Sequence, residues 1–115
     1  MRTVFYLGTC SSCSKIIKEL NLSKDFVMRD IKKDPMTAEE VDLMAKMAGS
    51  YEAIFSRKAM KYRSMGLNEK NLSEQDYRKY ILEEYTFLKR PVVILNDQIF
   101  VGNAKKNIEA LAKAL

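Results

Sequence analysis

The chain has 115 residues, of which 47% are hydrophobic and 30% charged, and its formal net charge is +5. This length suffices for one domain with a hydrophobic core, and the composition is that of a soluble globular protein. No apolar run approaches the roughly 20 residues of a membrane-spanning helix. No signal segment precedes the first predicted strand, so we expect a cytoplasmic protein without membrane association. No dense basic run with interleaved aromatics occurs, and direct nucleic-acid binding is not expected.

Both cysteines, Cys10 and Cys13, lie in segment 8–13, which we call the cysteine loop. The loop lies between an apolar run and a predicted helix, and Cys-x-x-Cys at such a junction is typical of a redox motif. The amide groups and dipole of the first helical turn stabilise a thiolate, so a thiol of ordinary pKa ~8.5 becomes partly ionised at neutral pH. The second cysteine lies one turn further on and can close a disulfide. A zinc site usually needs four Cys or His ligands, and the chain has two Cys and no His, so no metal is expected.

The N-terminal part of the chain predicts a βαβ unit. The mostly apolar run over 3–7 is typical of a buried strand. A helix from about 12 to 20 follows, with its apolar residues on one side. A second strand over 26–31 completes the unit, in which the two strands pair in parallel.

A helical block covers 37–88. Thr37 and Glu40 form a capping box at its start, and Gly49 stands where a helix C-cap is expected. Ser73 caps a further helix, whose apolar positions keep helical spacing to the end of the block. The shorter helices predicted between these signals are 51–55 and 58–64.

The C-terminal part predicts a β-hairpin and a helix. Strands over 92–95 and 98–101 flank a two-residue Asn-Asp turn. A helix over 104–115 follows, with Asn103 as its predicted cap. Without the helical block, the element order is βαβ-ββα, which is the thioredoxin-like core. We therefore predict one α/β domain over 1–115, with the helical block inserted between the second and third strands.

Three segments resemble the ArsC/Spx family of thioredoxin-like proteins. The first is the cysteine loop with the end of its strand, 6–13. The second, 54–58, is similar to the family's central arginine segment. The third, 88–94, contains Arg90 and Pro91 and is similar to the family's arginine–proline entry into a strand. The segments occur in the family's order, and the resemblance runs nearly end to end.

The resemblance implies a set of site residues. In the family's arsenate reductases, the cysteine at the position of Cys10 attacks arsenate, and arginines at the positions of Arg57 and Arg90 hold the oxyanion. A thiolate that attacks an anion needs fixed positive charge nearby, and a guanidinium matches oxyanion geometry. The proline at the position of Pro91 is cis in thioredoxin-like proteins and faces the cysteine loop. The predicted catalytic residues are Cys10, Cys13 as the resolving thiol, Arg57 and Arg90, and the predicted substrate-binding residues are Ser11, Ser12, Arg57, Arg90 and Pro91.

The resemblance also implies the reaction partners. We expect a small oxyanion or thiol substrate, a monomeric protein without a bound cofactor, and a redox partner that is glutathione with glutaredoxin, or thioredoxin. Three features depart from the family's arsenate reductases. Residues 101–103 stand where those enzymes have a third arginine, the first strand lacks a histidine, and the loop has two cysteines rather than one. These departures count against efficient arsenate reduction.

Two other functions fit the same residues. The Spx branch of the family consists of transcriptional regulators with a Cys-x-x-Cys switch. It has a glycine at the position of Gly49 that contacts the C-terminal domain of the RNA polymerase alpha chain, although a glycine there also fits a plain helix C-cap. The other alternative function is that of a general thiol–disulfide oxidoreductase without a fixed oxyanion substrate. A pKa of Cys10 near the unperturbed ~8.5 would argue against an activated nucleophile.

Overall fold

The computed structural model describes residues 1–115 and divides them into two compact units. The first consists of Met1–Pro35 and Arg90–Leu115, and the second of Met36–Lys89. The second unit extends one residue beyond each end of the predicted insertion, 37–88. That the whole chain folds as one domain stays a prediction. None of the helices is both long and apolar enough to cross a membrane.

The regular elements alternate in the order that the sequence predicts, with six α-helices and four strands. Short 3₁₀ turns link several of them. In chain order they are β1 (Arg2–Tyr6), α1 (Ser11–Glu19), β2 (Val27–Asp30), α2 (Ala38–Ala48), α3 (Tyr51–Ile54), α4 (Met60–Ser64), α5 (Glu74–Glu83), β3 (Val92–Leu95), β4 (Gln98–Val101) and α6 (Lys105–Ala114).

The first unit is a four-stranded sheet with strand order β2-β1-β3-β4. Strands β1 and β2 are parallel, whereas β3 is antiparallel to both of its neighbours. The parallel pair is joined through α1, as a βαβ unit requires, and the antiparallel pair is the predicted hairpin. This arrangement confirms the predicted α/β class with a thioredoxin-like βαβ-ββα core.

One buried cluster of the first unit lies on one face of this sheet. Val4, Val93 and Phe100 are neighbours across three strands and are buried. Ile16 of α1 and Leu111 of α6 belong to the same buried cluster, so both helices cover this face. The central strands β1 and β3 are the most completely buried, because each has a neighbouring strand on both sides. The covered sheet fixes the start of α1, and with it the cysteine loop.

The second unit is built from α2 to α5. Its two capping boxes, at Thr37 with Glu40 and at Ser73 with Asp76, satisfy otherwise unpaired backbone N–H groups. Gly49 ends α2 with φ +105°, a left-handed conformation that glycine adopts without strain. The fully buried Phe55 packs against three aromatic rings, namely those of Tyr62, Tyr77 and Phe87.

Two local predictions were wrong. The last helix of the block ends at Glu83 rather than continuing to residue 88, because Glu84 is extended and Leu88 pairs with Phe55 in an isolated β-bridge. Asn103 is not the cap of α6, since Ala104 occupies that position without a side-chain cap. In both cases a tertiary contact determines the outcome where local propensity predicts otherwise.

Candidate functional site

Cys10 occupies the junction between strand and helix that the sequence predicts. It is the N-cap residue of α1, with extended backbone, and its N–H donates to the Leu7 carbonyl at 2.9 Å. The Ser14 N–H donates to the Cys10 carbonyl at 3.1 Å, which begins the helix. The Cys10 side chain is partly exposed, whereas Cys13, inside the first turn, is fully buried. No disulfide joins the two cysteines in this structure.

The environment of Cys10 favours its thiolate. Burial alone would raise the pKa of this thiol, but hydrogen bonds from Ser12 and from Cys13 outweigh burial, and the positive charge of Arg90 adds to them. The net effect lowers the pKa of Cys10 from 9.0 to about 7. Near neutral pH a large fraction of Cys10 is therefore the nucleophilic thiolate.

Cys13 has the opposite environment. Burial raises the pKa of its thiol to about 11, and its hydrogen bond to Cys10 acts in the same direction. Cys13 therefore stays protonated while Cys10 ionises, and its S–H stabilises the neighbouring thiolate. A partly exposed thiolate beside a buried thiol suits attack on an electrophile by Cys10, followed by disulfide formation with Cys13.

Arg90 and Pro91 belong to the same unit as the cysteine loop. The Arg90–Pro91 peptide bond is cis, and the Pro91 carbonyl accepts a hydrogen bond from the Gly102 N–H at 2.8 Å. The charge of Arg90 lowers the pKa of both Cys10 and Cys13, so this guanidinium acts on the thiols electrostatically. Arg90 is therefore the predicted oxyanion ligand that the first unit brings to the cysteine loop.

The two serines of the loop differ in their contacts. Ser11 is exposed at the start of α1. Ser12 is half-buried, and its Oγ lies 3.2 Å from the Cys10 Sγ. The Ser12 Oγ also lies 3.1 Å from the Nδ2 of Asn103, which the sequence did not indicate as a site residue. Asn103 is 91 residues away along the chain. Its only sequence signal is that 101–103 stand where the family's arsenate reductases have a third arginine.

Arg57 lies in the second unit, where its guanidinium contacts Glu52 and Tyr77. Its Nη2 is bound to the Glu52 carboxylate and donates to the Tyr77 hydroxyl at 2.9 Å. The guanidinium carbon lies 5.7 Å from the centroid of the Tyr77 ring, a cation–π distance. These contacts raise the pKa of Arg57, chiefly through Glu52, and keep it charged. That Arg57 and Arg90 hold one anion between them stays a prediction.

The structure shows no cluster of side chains that could serve as metal ligands. No group of three or more His, Cys, Asp or Glu side chains is placed to hold a metal ion.

The ArsC family model matches residues 5–111. The chain belongs to the ArsC family. It is 28% identical over 106 residues to the global transcriptional regulator Spx 1 of Bacillus cereus, a match that covers 89% of this chain and 79% of that protein. The crystal structure of "a possible arsenate reductase" from Streptococcus mutans UA159 aligns with a TM-score of 0.76 and 26% identity, over 96% of this chain and 97% of that one. An arsenate reductase from Vibrio cholerae has the same fold, with a TM-score of 0.77 and 17% identity over 99% and 97% of the two chains.

Proposed function

We propose that this member of the ArsC family is a thiol-dependent reductase of the arsenate reductase type, in which Cys10 is the nucleophile and Cys13 the resolving thiol. The observation that carries the proposal is the placement of the two thiols at the start of α1, with Cys10 partly exposed at the N-cap and Cys13 buried in the first turn, which separates their pKa values to about 7 and about 11. This separation assigns attack to one cysteine and resolution to the other. The likeness to a structure named as a possible arsenate reductase supports the substrate class.

The proposed reaction uses only the two thiols and an external reductant. The Cys10 thiolate attacks the arsenic of arsenate, an S–As bond forms, and an arsenate oxygen leaves as water after protonation. Cys13 then loses its proton and attacks the Cys10 sulfur, so that an S–S bond forms and the S–As bond breaks. The electron pair of that bond stays on arsenic, which leaves as arsenite. Arsenic is reduced by two electrons, two thiols become one disulfide, and glutathione with glutaredoxin, or thioredoxin, reduces the disulfide.

The other site residues are proposed to hold the oxyanion. Arg90 supplies positive charge beside the attacking sulfur, as its effect on the pKa of Cys10 indicates. Ser11, Ser12 and Pro91 complete the proposed set of anion-binding residues. Arg57 binds the oxyanion only if the anion displaces the Glu52 carboxylate from the Arg57 guanidinium.

The direct test is arsenate-dependent NADPH consumption, coupled in turn to glutathione with glutaredoxin and to thioredoxin. Cys10→Ser should abolish turnover, since an alcohol cannot replace the thiolate, and Cys13→Ser should reduce it severely because the arsenic adduct is not resolved intramolecularly. The matched control is Ser14→Ala, an exposed change on the same helix that leaves both thiols in place. Absence of arsenate-dependent NADPH use with every donor would overturn the proposal.

A second candidate function is redox-controlled binding to RNA polymerase, through the C-terminal domain of its alpha chain. It is favoured by the identity with the regulator Spx 1 and by Gly49, which is exposed at the end of α2. A Cβ added at Gly49 would meet nothing within 4 Å, so this position is open to a partner. We expect Gly49→Asn to obstruct a partner, and Asn is chosen because it is the side chain that replaces glycine in left-handed caps with the least strain. A pull-down with that domain, using reduced and oxidised protein, tests this function, and no binding in either state would reject it.

A further inference from the structure

A chain of hydrogen bonds connects the end of the hairpin to the Cys10 sulfur. The Asn103 Nδ2 lies 3.1 Å from the Ser12 Oγ, which in turn lies 3.2 Å from the Cys10 Sγ. Asn103 touches no thiol itself, and it comes from the opposite end of the sequence. Its side chain is exposed in the turn between β4 and α6, where the sequence predicted a helix cap.

We propose that Asn103 is a positioning residue for the nucleophile: its amide orients the Ser12 hydroxyl so that this hydroxyl donates to the Cys10 sulfur. The inference rests on the proposed role of Cys10 as nucleophile. It assigns to Asn103 control of how much of Cys10 is thiolate, rather than contact with the substrate.

The direction of the two hydrogen bonds follows from the available protons. A thiolate only accepts, and a serine hydroxyl has a single proton to give. When the Ser12 proton points to the Cys10 sulfur, the Ser12 oxygen can only accept from its other neighbour. The Asn103 amide nitrogen can only donate, so it is the donor that the Ser12 oxygen accepts from. Without Asn103, the Ser12 hydroxyl is free to rotate toward water or a nearby backbone carbonyl.

The position of Asn103 is itself fixed by backbone contacts. Gly102 adopts φ +89°, a conformation that suits glycine. Its N–H donates to the Pro91 carbonyl at 2.8 Å, and its carbonyl accepts from the Asn107 Nδ2 at 2.8 Å. The same turn is thereby attached to the residue that follows Arg90. Arg90 and Asn103 both act on Cys10 from outside the cysteine loop. The hydrogen bond between Gly102 and Pro91 therefore connects the segments that carry these two residues.

The test is the pH dependence of Cys10 alkylation by iodoacetamide in the full reduced protein, with the modified peptide identified by mass. We expect the wild-type pKa at about 7. Ser12→Ala should raise the pKa of Cys10 to about 8, since the thiolate loses one hydrogen bond. Asn103→Ala should raise this pKa by about half as much as Ser12→Ala does. Asn103→Asp should raise it further than Asn103→Ala, because a carboxylate accepts the Ser12 proton and adds negative charge. The matched control is Asn71→Ala, an exposed asparagine of the second unit, which should leave the profile unchanged.

The double variant Ser12→Ala/Asn103→Ala separates positioning from a general structural effect. If Asn103 acts through Ser12, the pKa of Cys10 in the double variant should equal the pKa in Ser12→Ala, with no added shift. An additive shift, or an unchanged profile in Asn103→Ala, would overturn the inference while leaving the proposed function intact. A wild-type pKa near the ordinary ~8.5 would instead refute the activated nucleophile and with it the proposed function.

Discussion

Cys10 and Cys13 lie one helical turn apart, and their thiol pKa values lie on opposite sides of the ordinary value, at about 7 and about 11. The difference arises because Cys10 caps the helix at the surface and receives hydrogen bonds, whereas Cys13 is buried inside the first turn. Each thiol reinforces the other, since the Cys13 S–H donates to the Cys10 sulfur. One pair of residues thus provides both a nucleophile and a protonated resolving group.

This relationship predicts how the stability of the reduced protein depends on pH. The lowered pKa of Cys10 means that the unfolded chain binds more protons between pH ~7 and ~9, so stability rises over that window and is lost as pH falls through ~7. The raised pKa of Cys13 has the opposite sign, so its contribution is lost as pH rises toward ~11. After a discount for the partial exposure of Cys10, we expect a gain of about 1 kcal/mol between pH 6 and pH 9 relative to Cys10→Ser.

Urea unfolding at pH 6, 7.5 and 9, under a reductant without thiols, measures this gain. Cys13→Ser serves as the control, because serine keeps a hydrogen-bond donor near Cys10 and should preserve most of the rise. The same pH dependence in wild type and in Cys10→Ser would contradict the assigned pKa of Cys10.

Gly8 is predicted to be needed for close packing rather than for its backbone angles. A Cβ at this position would lie 2.7 Å from the Asp30 Oδ2. The Asp30 Oδ1 accepts the Lys32 N–H at 3.1 Å, so rotation of the carboxylate away from a new methyl group breaks that bond. We expect Gly8→Ala to lower the free energy of unfolding by about 1 kcal/mol. In an Asp30→Ala background the same substitution should cost much less, and an equal cost in both backgrounds would show that Asp30 is not the obstacle.

Glu52 is predicted to compete with the substrate for Arg57. If Arg57 helps to bind the oxyanion, the anion must displace a carboxylate that already occupies the guanidinium. Exposed ion pairs contribute about 0–1 kcal/mol, so Glu52→Gln should lower KM for arsenate by at most about fivefold and leave kcat unchanged. Steady-state kinetics measure both constants.

Two further variants make the Glu52 experiment decisive. Tyr77→Phe removes the hydrogen bond that Arg57 donates to the Tyr77 hydroxyl but keeps the aromatic ring and the competing carboxylate, so KM should not fall. Arg57→Ala should raise KM. An unchanged KM in Glu52→Gln, together with a raised KM in Arg57→Ala, would mean that Glu52 does not compete for the site.

The sequence predicted the parts of the fold that depend on local chemistry. The capping box of Thr37 with Glu40 and the C-cap Gly49 were confirmed because each is complete within a few residues. The hairpin strands over 92–95 and 98–101 were confirmed with the same limits, since Asn96, at φ +57°, permits the two-residue turn. The motif at Cys10 likewise lies where a strand meets a helix.

What the sequence did not predict depends on partners far along the chain. Asn103 has the chemistry of a helix cap, but its side chain bonds to Ser12. Leu88 continues a helical pattern, but it pairs with Phe55. The neighbours of Arg57 could not be inferred either, because Glu52 belongs to a short predicted helix without a signal for this contact and Tyr77 lies 20 residues away along the chain. No local rule identifies such contacts, which only the assembled fold determines.

The central claim, reduction by Cys10 with resolution by Cys13, is tested most directly by a single turnover. Fully reduced protein is mixed anaerobically with one equivalent of arsenate and no external reductant, and arsenite and remaining thiols are counted together. The account predicts one arsenite for every two thiols lost, with a Cys10–Cys13 disulfide in the peptide map and no arsenite from Cys10→Ser. Unchanged thiols and no arsenite, or equal arsenite from wild type and Cys13→Ser, would contradict it.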